Sequence, residues 1–410
     1  MRKLTVLTAL LLLLPAVSQA KTLEDLLVEK GVITKSEARA SNHDGSAKVY
    51  WNKGTRLDFA DTGFTANIGT QFRTRYQFVD NDSGTPNRSS FEVNTARLVV
   101  SGTALHKEFD YKLQTDFAGG GASLKDAYLT WHTCDNSMVR MGQFKPAISR
   151  QNWTSVSKLQ FADRSVVSDF FAIDRNQGVD AAYMVTDDVL VAAQLFNGVS
   201  NYLGTDPTPV EGINGVGADT KHTGAVAIRA NLMGSMDPLS EGDVEHTEDT
   251  AVNAGFAFAY SEAENVALTN WDVVTLSADL NVKSQGFSLH GEFFYQDHDP
   301  QGAGAGSSIE GTGFYVQAGY FVEPKTWEVA AGYGYVDCDN GMAIANNVAA
   351  TNYCTGFDNL NEVDATINYY WWKHHLKAQI GFAHLTQGGL GAGASDVDTN
   401  RWILSLSSWF

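Results

Sequence analysis

The segment QFRTRYQF, Gln71 to Phe78, sets two arginines two residues apart among aromatic side chains. In a β-strand, successive side chains point to opposite faces. Phe72, Thr74, Tyr76 and Phe78 then share one face, and Gln71, Arg73, Arg75 and Gln77 share the other. One side is aromatic; the other is cationic and wet. The same parity runs on. Leu98 and Val100 on the apolar face turn Arg97 the other way, and Tyr111, Leu113 and Phe117 there do the same for Lys112, Gln114 and Asp116. A second group of cations lies in the long segment 145–177: Lys145, Arg150, Lys158, Arg164 and Arg175, set against Asp163, Asp169 and Asp174. Arg and Lys gathered around a pore select anions by offsetting their dehydration cost. Guanidinium forks also match oxyanion geometry two bonds at a time. Hydroxyls such as Thr154, Ser155 and Ser157 could complete the coordination. The other reading open to the same residues is that the three aspartates pair these cations and simply hold the segment in place.

Other chemistry finds no pattern. There is no G-x-S-x-G, Walker loop or G-x-G-x-x-G in a βαβ setting, so no enzyme is expected. No Cys/His spacing resembles a zinc site, and DNDSG at 80–84 and DVDTN at 396–400 are only half of a calcium loop; no metal or cofactor is expected. Cys338 and Cys354 bracket a polar segment and could close a loop disulfide, leaving Cys134 over.

Formal charge is −18, which disfavours nucleic acid as a partner. Its distribution is more telling. Residues 51–175 hold 15 Lys and Arg against 13 Asp and Glu, whereas residues 176–410 hold 7 against 29. The cations are concentrated in one part of an anionic chain.

The elements that must position them are strands. After residue 50 the sequence alternates with period two, broken by turn residues. Sixteen candidate strands lie near 65–78, 91–105, 109–117, 124–131, 138–144, 178–184, 189–196, 223–232, 252–259, 273–282, 287–296, 311–321, 327–336, 360–370, 375–384 and 400–410. Short turns alternate with long polar connections, the pattern of an antiparallel outer-membrane β-barrel. Residues 233–251 do not fit it, being too long for a turn on the short side. The final strand, RWILSLSSWF, puts Trp402, Leu404, Leu406 and Phe410 on one face and resembles the terminal signal of bacterial outer-membrane proteins. In such a barrel, Arg on the lipid face near the midplane costs about 2–4 kcal/mol, so Arg73 and Arg75 belong in the lumen. A soluble β protein shows similar alternation and stands as the non-channel alternative.

The chain opens with Arg2 and Lys3, an apolar run from Leu4 to Leu14, and small residues at Ser18 and Ala20. This reads as a cleaved secretory signal over 1–20. No Cys follows Ala20, which disfavours a lipoprotein. Residues 21–50 carry a leucine stripe at Leu23, Leu26 and Leu27 and a Thr34/Glu37 capping box, and predict a short helical periplasmic extension. Residues 51–410 form the barrel.

FDYKLQTDFAGGGASLKDAYLTW at 109–131, GQFKPAIS at 142–149, TSVSKLQFADRS at 154–165 and DRNQGV at 174–179, with the N-terminal LEDLLVEKGVI, resemble the phosphate-selective porin O/P family. The resemblance is dense between about 91 and 180 and pattern-like beyond. It implies a 16-stranded outer-membrane barrel, usually a homotrimer, that passes small anions, in some members phosphate or polyphosphate. It also implies that 145–177 folds into the lumen and narrows it, with Asp126 and Tyr128 of KDAY beside the constriction. Candidate anion-binding residues are therefore Arg73, Arg75, Arg97, Lys112, Asp126, Tyr128, Lys145, Arg150, Ser155, Lys158 and Arg164. The family's paired serines after the threonine stand here as Ser155 and Val156, and Asn152 and Trp153 occupy the place of an expected lysine. Both departures weaken strict phosphate specificity and keep a general, weakly selective porin in view.

Overall fold

The computed structural model describes Lys30 and residues 48–59, 62–82, 86–197, 222–264, 270–301, 308–338, 357–389 and 395–410. A small hairpin, β1 (Lys48–Trp51) and β2 (Thr55–Phe59), precedes the wall. Sixteen strands follow: β3 (Phe64–Asn81), β4 (Arg88–Ala104), β5 (Phe109–Asp116), β6 (Ser123–Cys134), β7 (Ser137–Phe144), β8 (Asn176–Thr186), β9 (Val189–Asn197), β10 (His222–Met233), β11 (Ala251–Glu264), β12 (Asn270–Ser284), β13 (Phe287–Gln301), β14 (Ile309–Glu323), β15 (Trp327–Cys338), β16 (Phe357–Trp372), β17 (Leu376–Gly389) and β18 (Val397–Trp409). Each pairs antiparallel with its neighbours, and β18 returns to β3 with Trp402 opposite Phe78 and Leu404 opposite Tyr76. The sheet closes into a barrel, so every strand edge is paired, as lipid requires. All sixteen expected strands are present.

Parity does what the composition anticipated. Phe72, Leu98, Leu113, Leu129, Leu280, Val316, Ile367, Trp402, Leu404 and Leu406 are all exposed on the outer face. The buried residues are instead largely polar, because they face inward: Gln71, Thr95, Gln114, Asp126, Glu292, Gln317, Glu328 and Gln379 among them. A soluble sandwich would show the reverse, which removes the non-channel alternative. Where strands meet on the short rim, turns are tight. Gln285 and Gly286 both take positive φ, 48° and 87°, the two-residue turn whose twist matches a hairpin.

Two segments enter the lumen. Residues 145–175, between β7 and β8, carry two short helices, α1 (Arg150–Trp153) and α2 (Val166–Phe171). Phe171 stacks on Phe294 of β13 at 5.3 Å, within a small core with Val167, Tyr315, Val336 and Leu360. Glycines on the inner wall make the room. A Cβ on Gly313 would stand 2.5 Å from Phe171, and one on Gly334 would stand 2.9 Å from Val167. Ile148 and Ile173, at the base of the segment, pack on Phe196, Ala225, Ala257 and Ala259. The second segment is 234–250, from the opposite rim, the connection that broke the short-turn pattern. It turns inward: Glu241, Asp243 and Val244 are buried, Val244 against Phe321 and Tyr370.

The expected N-terminal helical extension is not supported. Lys48 to Tyr50, its last residues, are strand, and β2 pairs with β3 through Thr55–Ile68 to Phe59–Phe64. The alternating TRLDF of β2 meets the free start of β3, which β18 does not reach. The rest of the extension, the signal segment 1–20 and Cys354 of the anticipated disulfide lie outside the described residues.

Leu404 sits midway along the outer face of β18. Leu404→Arg is expected to destabilise the barrel by about 2–4 kcal/mol, read by urea unfolding in lipid vesicles, whereas Leu404→Phe leaves the midpoint nearly unchanged.

Candidate pore and its charged lining

The inserted 145–175 segment is held by carboxylates of the wall, each placed inward by strand parity. Glu292 of β13 accepts the backbone N–H groups of Arg150 at 2.7 Å and Gln151 at 3.3 Å, and Ser149 caps α1 by accepting from Asn152 N at 3.1 Å. Glu362 of β16 accepts Val166 N at 2.7 Å and Ser165 Oγ at 3.0 Å at the start of α2. A carboxylate at a helix start offsets unpaired N–H groups. Glu241, from the second segment, accepts Gln160 N at 2.8 Å, Gln151 Nε2 at 3.1 Å and Arg150 Nη2 at 3.3 Å. The Arg150 and Glu241 side chains are 0% exposed, and Tyr315 Oη lies 2.7 Å from the same Nη2. Lys377 Nζ donates to the Leu159 carbonyl, and Asn368 Nδ2 to Gln160 O at 2.9 Å. Together these contacts fill the lumen against β13–β17.

Two open spaces remain, one against β3 and β16–β18 and one against β3 and β5–β7. The larger cavity, about 380 Å³, is lined by Arg73, Arg75, Arg164 and Arg401 against Asp163, Asp169 and Glu362. The smaller, about 110 Å³, is lined by Lys112, Arg140, Lys145 and Arg175 with Asp126 as its one carboxylate. Gln71 Nε2 reaches Ser155 Oγ at 3.5 Å, and both line the smaller cavity, while Arg73 and Val156 line the larger one.

The cations offered by the sequence divide by the partners they meet. Wall cations are paired. Arg75 meets Glu92 at 3.0 Å and Asp163 at 2.9 Å; Arg73 donates to Asn94 and the Ala162 carbonyl; Arg401 lies 3.5 Å from Asp163. Burial would raise the Asp163 carboxyl, but Arg401, Arg73 and Arg75 hold it below its usual range. Arg97 pairs with Asp116 at 2.7 Å, and Lys112 and Arg175 share Asp126 at 2.6 and 2.7 Å. Arg150 is withdrawn from the open space, and Lys158 is tied to Asp237 at 2.7 Å on the side of the second segment. Ser155 Oγ contacts Ser157 Oγ at 2.9 Å, and Thr154 Oγ1 donates to Arg150 O, so these hydroxyls are already engaged.

Lys145 and Arg164 differ. Arg164 donates to the carbonyls of Gln151 at 3.0 Å and Thr154 at 2.9 Å, and Lys145 to those of Asn152 and Thr154. Among the described residues neither has a carboxylate within ion-pair distance. Neutral acceptors fix their positions, and the nearby aspartates, Asp174 for both and Asp169 for Arg164, act on them from beyond ion-pair distance. Burial, then the like charges of Arg164 and Arg175, pull the Lys145 pKa well below that of an ordinary lysine. Asp126 and Tyr128 line the smaller cavity, as the resemblance implied. Arg140 and Arg401 were missed, yet each sits beside an outward residue, Met141 and Trp402, and parity alone turns them inward.

The comparisons with known proteins agree with this geometry. The family described as phosphate-selective porin O and P matches residues 66–404. The chain belongs to that family. It is 24% identical over 353 residues to an uncharacterized protein of Aquifex aeolicus, covering 76% of this chain and 79% of that one. Solved structures with the same fold include the outer-membrane channel DcaP of Acinetobacter baumannii (14% identity, 85% and 98% of the two chains, TM-score 0.60). The anion-selective porin of Comamonas acidovorans is similar too (14%, 84% and 99%, TM-score 0.54), as is a trimer form of OmpT from Vibrio cholerae (12%, 85% and 99%, TM-score 0.53). The porin is thus an outer-membrane channel of a bacterium.

A lysine held below its usual pKa carries its charge only at lower pH. Anion preference should therefore fall as pH rises toward, but short of, the ordinary lysine value of about 10.4. Reversal potentials measured across that range should shift, and Lys145→Gln should flatten the dependence.

Proposed function

We propose that the porin lets small anions diffuse passively across the outer membrane, with phosphate among them but no strict phosphate selectivity. The observation that carries this reading is the pair Lys145 and Arg164, whose charge no carboxylate within ion-pair distance offsets. In the smaller cavity Lys112, Arg140 and Arg175 join Lys145, with Asp126 the carboxylate among the described lining residues. Low-dielectric walls focus such a local excess far beyond what a net charge of −18 suggests. Against phosphate selectivity, Thr154, Ser155 and Ser157 spend their hydroxyls within the segment itself. A general porin of weak selectivity is the second reading, favoured by the pairing of Arg73, Arg75, Arg97 and Lys112.

Planar-bilayer recording in a KCl gradient separates the two. The anion reading expects a reversal potential of anion-selective sign that Arg164→Ala moves clearly toward zero, while Arg73→Ala moves it little. A cation-selective sign, or indifference to Arg164→Ala, would refute it.

We further infer that the porin works as a homotrimer joined along its low wall. β5, β7 and β9 have only 8, 8 and 9 residues, against 14–15 in β11–β14. A tilted spanning strand needs about 9–11, so that side gains most from a protein neighbour. Met141, exposed on β7, lies in this face. Light scattering in detergent should give three chains per particle, and Met141→Arg should shift the particle to one.

A further inference from the structure

The smaller cavity holds more than charge. Tyr128, Phe144 and Trp153 line it together with Arg140. Arg140 lies over the Tyr128 ring at 4.7 Å and the Phe144 ring at 5.7 Å. Its hydrogen-bonding groups are poorly used. The Asp180 carboxylate stands 3.6 Å from Nη1, the Met138 thioether is 3.6 Å from Nη2, and buried Nε has no partner. Lys112 and Arg175, in contrast, grip Asp126 at 2.6 and 2.7 Å. The cavity thus presents a planar donor fork, held flat by aromatic rings, with donors to spare.

That combination suits one kind of anion better than another. Two carboxylate oxygens match a guanidinium edge, and a single negative charge avoids added repulsion from Asp126. An apolar or aromatic body beyond the carboxylate would lie against Trp153, gaining contact area and ring-to-ring attraction. Inorganic phosphate gains nothing from three aromatic faces, and its second charge meets Asp126.

Resting on the anion-channel reading, we propose that this cavity is a subsite for organic monocarboxylates with an apolar or aromatic body, Arg140 receiving the carboxylate and Trp153 the body. Gln71 and Ser155 also line this cavity, and a carboxylate seated there is expected to reduce ion flow by occupying part of the open lumen. The test is block of chloride current through the purified porin in planar bilayers by acetate, benzoate and inorganic phosphate at one pH. Benzoate should reach half-block at a concentration about fivefold below acetate, and below phosphate as well. Trp153→Leu should erase the difference between benzoate and acetate. Arg140→Gln should raise the half-blocking benzoate concentration about tenfold; if that variant does not assemble, the wild-type series and Trp153→Leu still decide. Equal block by acetate and benzoate, or stronger block by phosphate, overturns the subsite in a channel that remains anion-selective. A cation-selective wild type instead overturns the reading beneath it.

Discussion

Two segments enter this barrel from opposite rims, and the buried contact between Arg150 and Glu241 decides where each can lie. Arg150 is fixed by the Glu292 cap on its own N–H and by Tyr315 on its guanidinium. Glu241 is fixed by Gln160, Gln151 and Gln317. Removing one member of a buried ion pair costs about 3–5 kcal/mol, because the other charge is stranded. The pair is thus less a source of net stability than a statement of register: the segments fit one another in this arrangement or leave a buried charge alone. With them seated, the larger cavity lies against β3 and β16–β18 and the smaller against β3 and β5–β7, and cations of the basic segment 51–175 line both.

The lining then separates structural from functional charge. Asp163, Glu92, Asp116 and Asp126 consume the wall cations and give the inner surface rigidity. Carbonyl groups, not carboxylates, hold Lys145 and Arg164. A carbonyl orients a cation without cancelling it, and on the proposed reading the turn that builds α1 in this way sets Lys145 and Arg164 beside the open space.

Much of this was legible in the sequence. Lipid on one side and water on the other force period-two alternation, so all sixteen strands and the inward turn of Arg73, Arg75, Arg97 and Lys112 followed from residue types. Which cations are paired did not. Arg150 meets a glutamate 91 positions away, and no local pattern announces that contact. The segment around Glu241 could be flagged as too long for a turn, but its inward course depends on partners in β12, β13, β14 and β16. The hairpin over 48–59 was hidden for another reason: four- and five-residue strands carry too few alternations to stand out from a helical stripe just before them.

Asp163 has a consequence beyond electrostatics. Arg73 and Arg75 belong to the first strand of the cylinder and Arg401 to the last, and the one carboxylate touches all three. It is a staple across the weld, driven from within. With β18 paired to β3, the three guanidiniums stand on neighbouring strands at one point of the inner wall, and the tip of the internal segment supplies the carboxylate between them. Docking of the segment and closure of the ring thus share one contact.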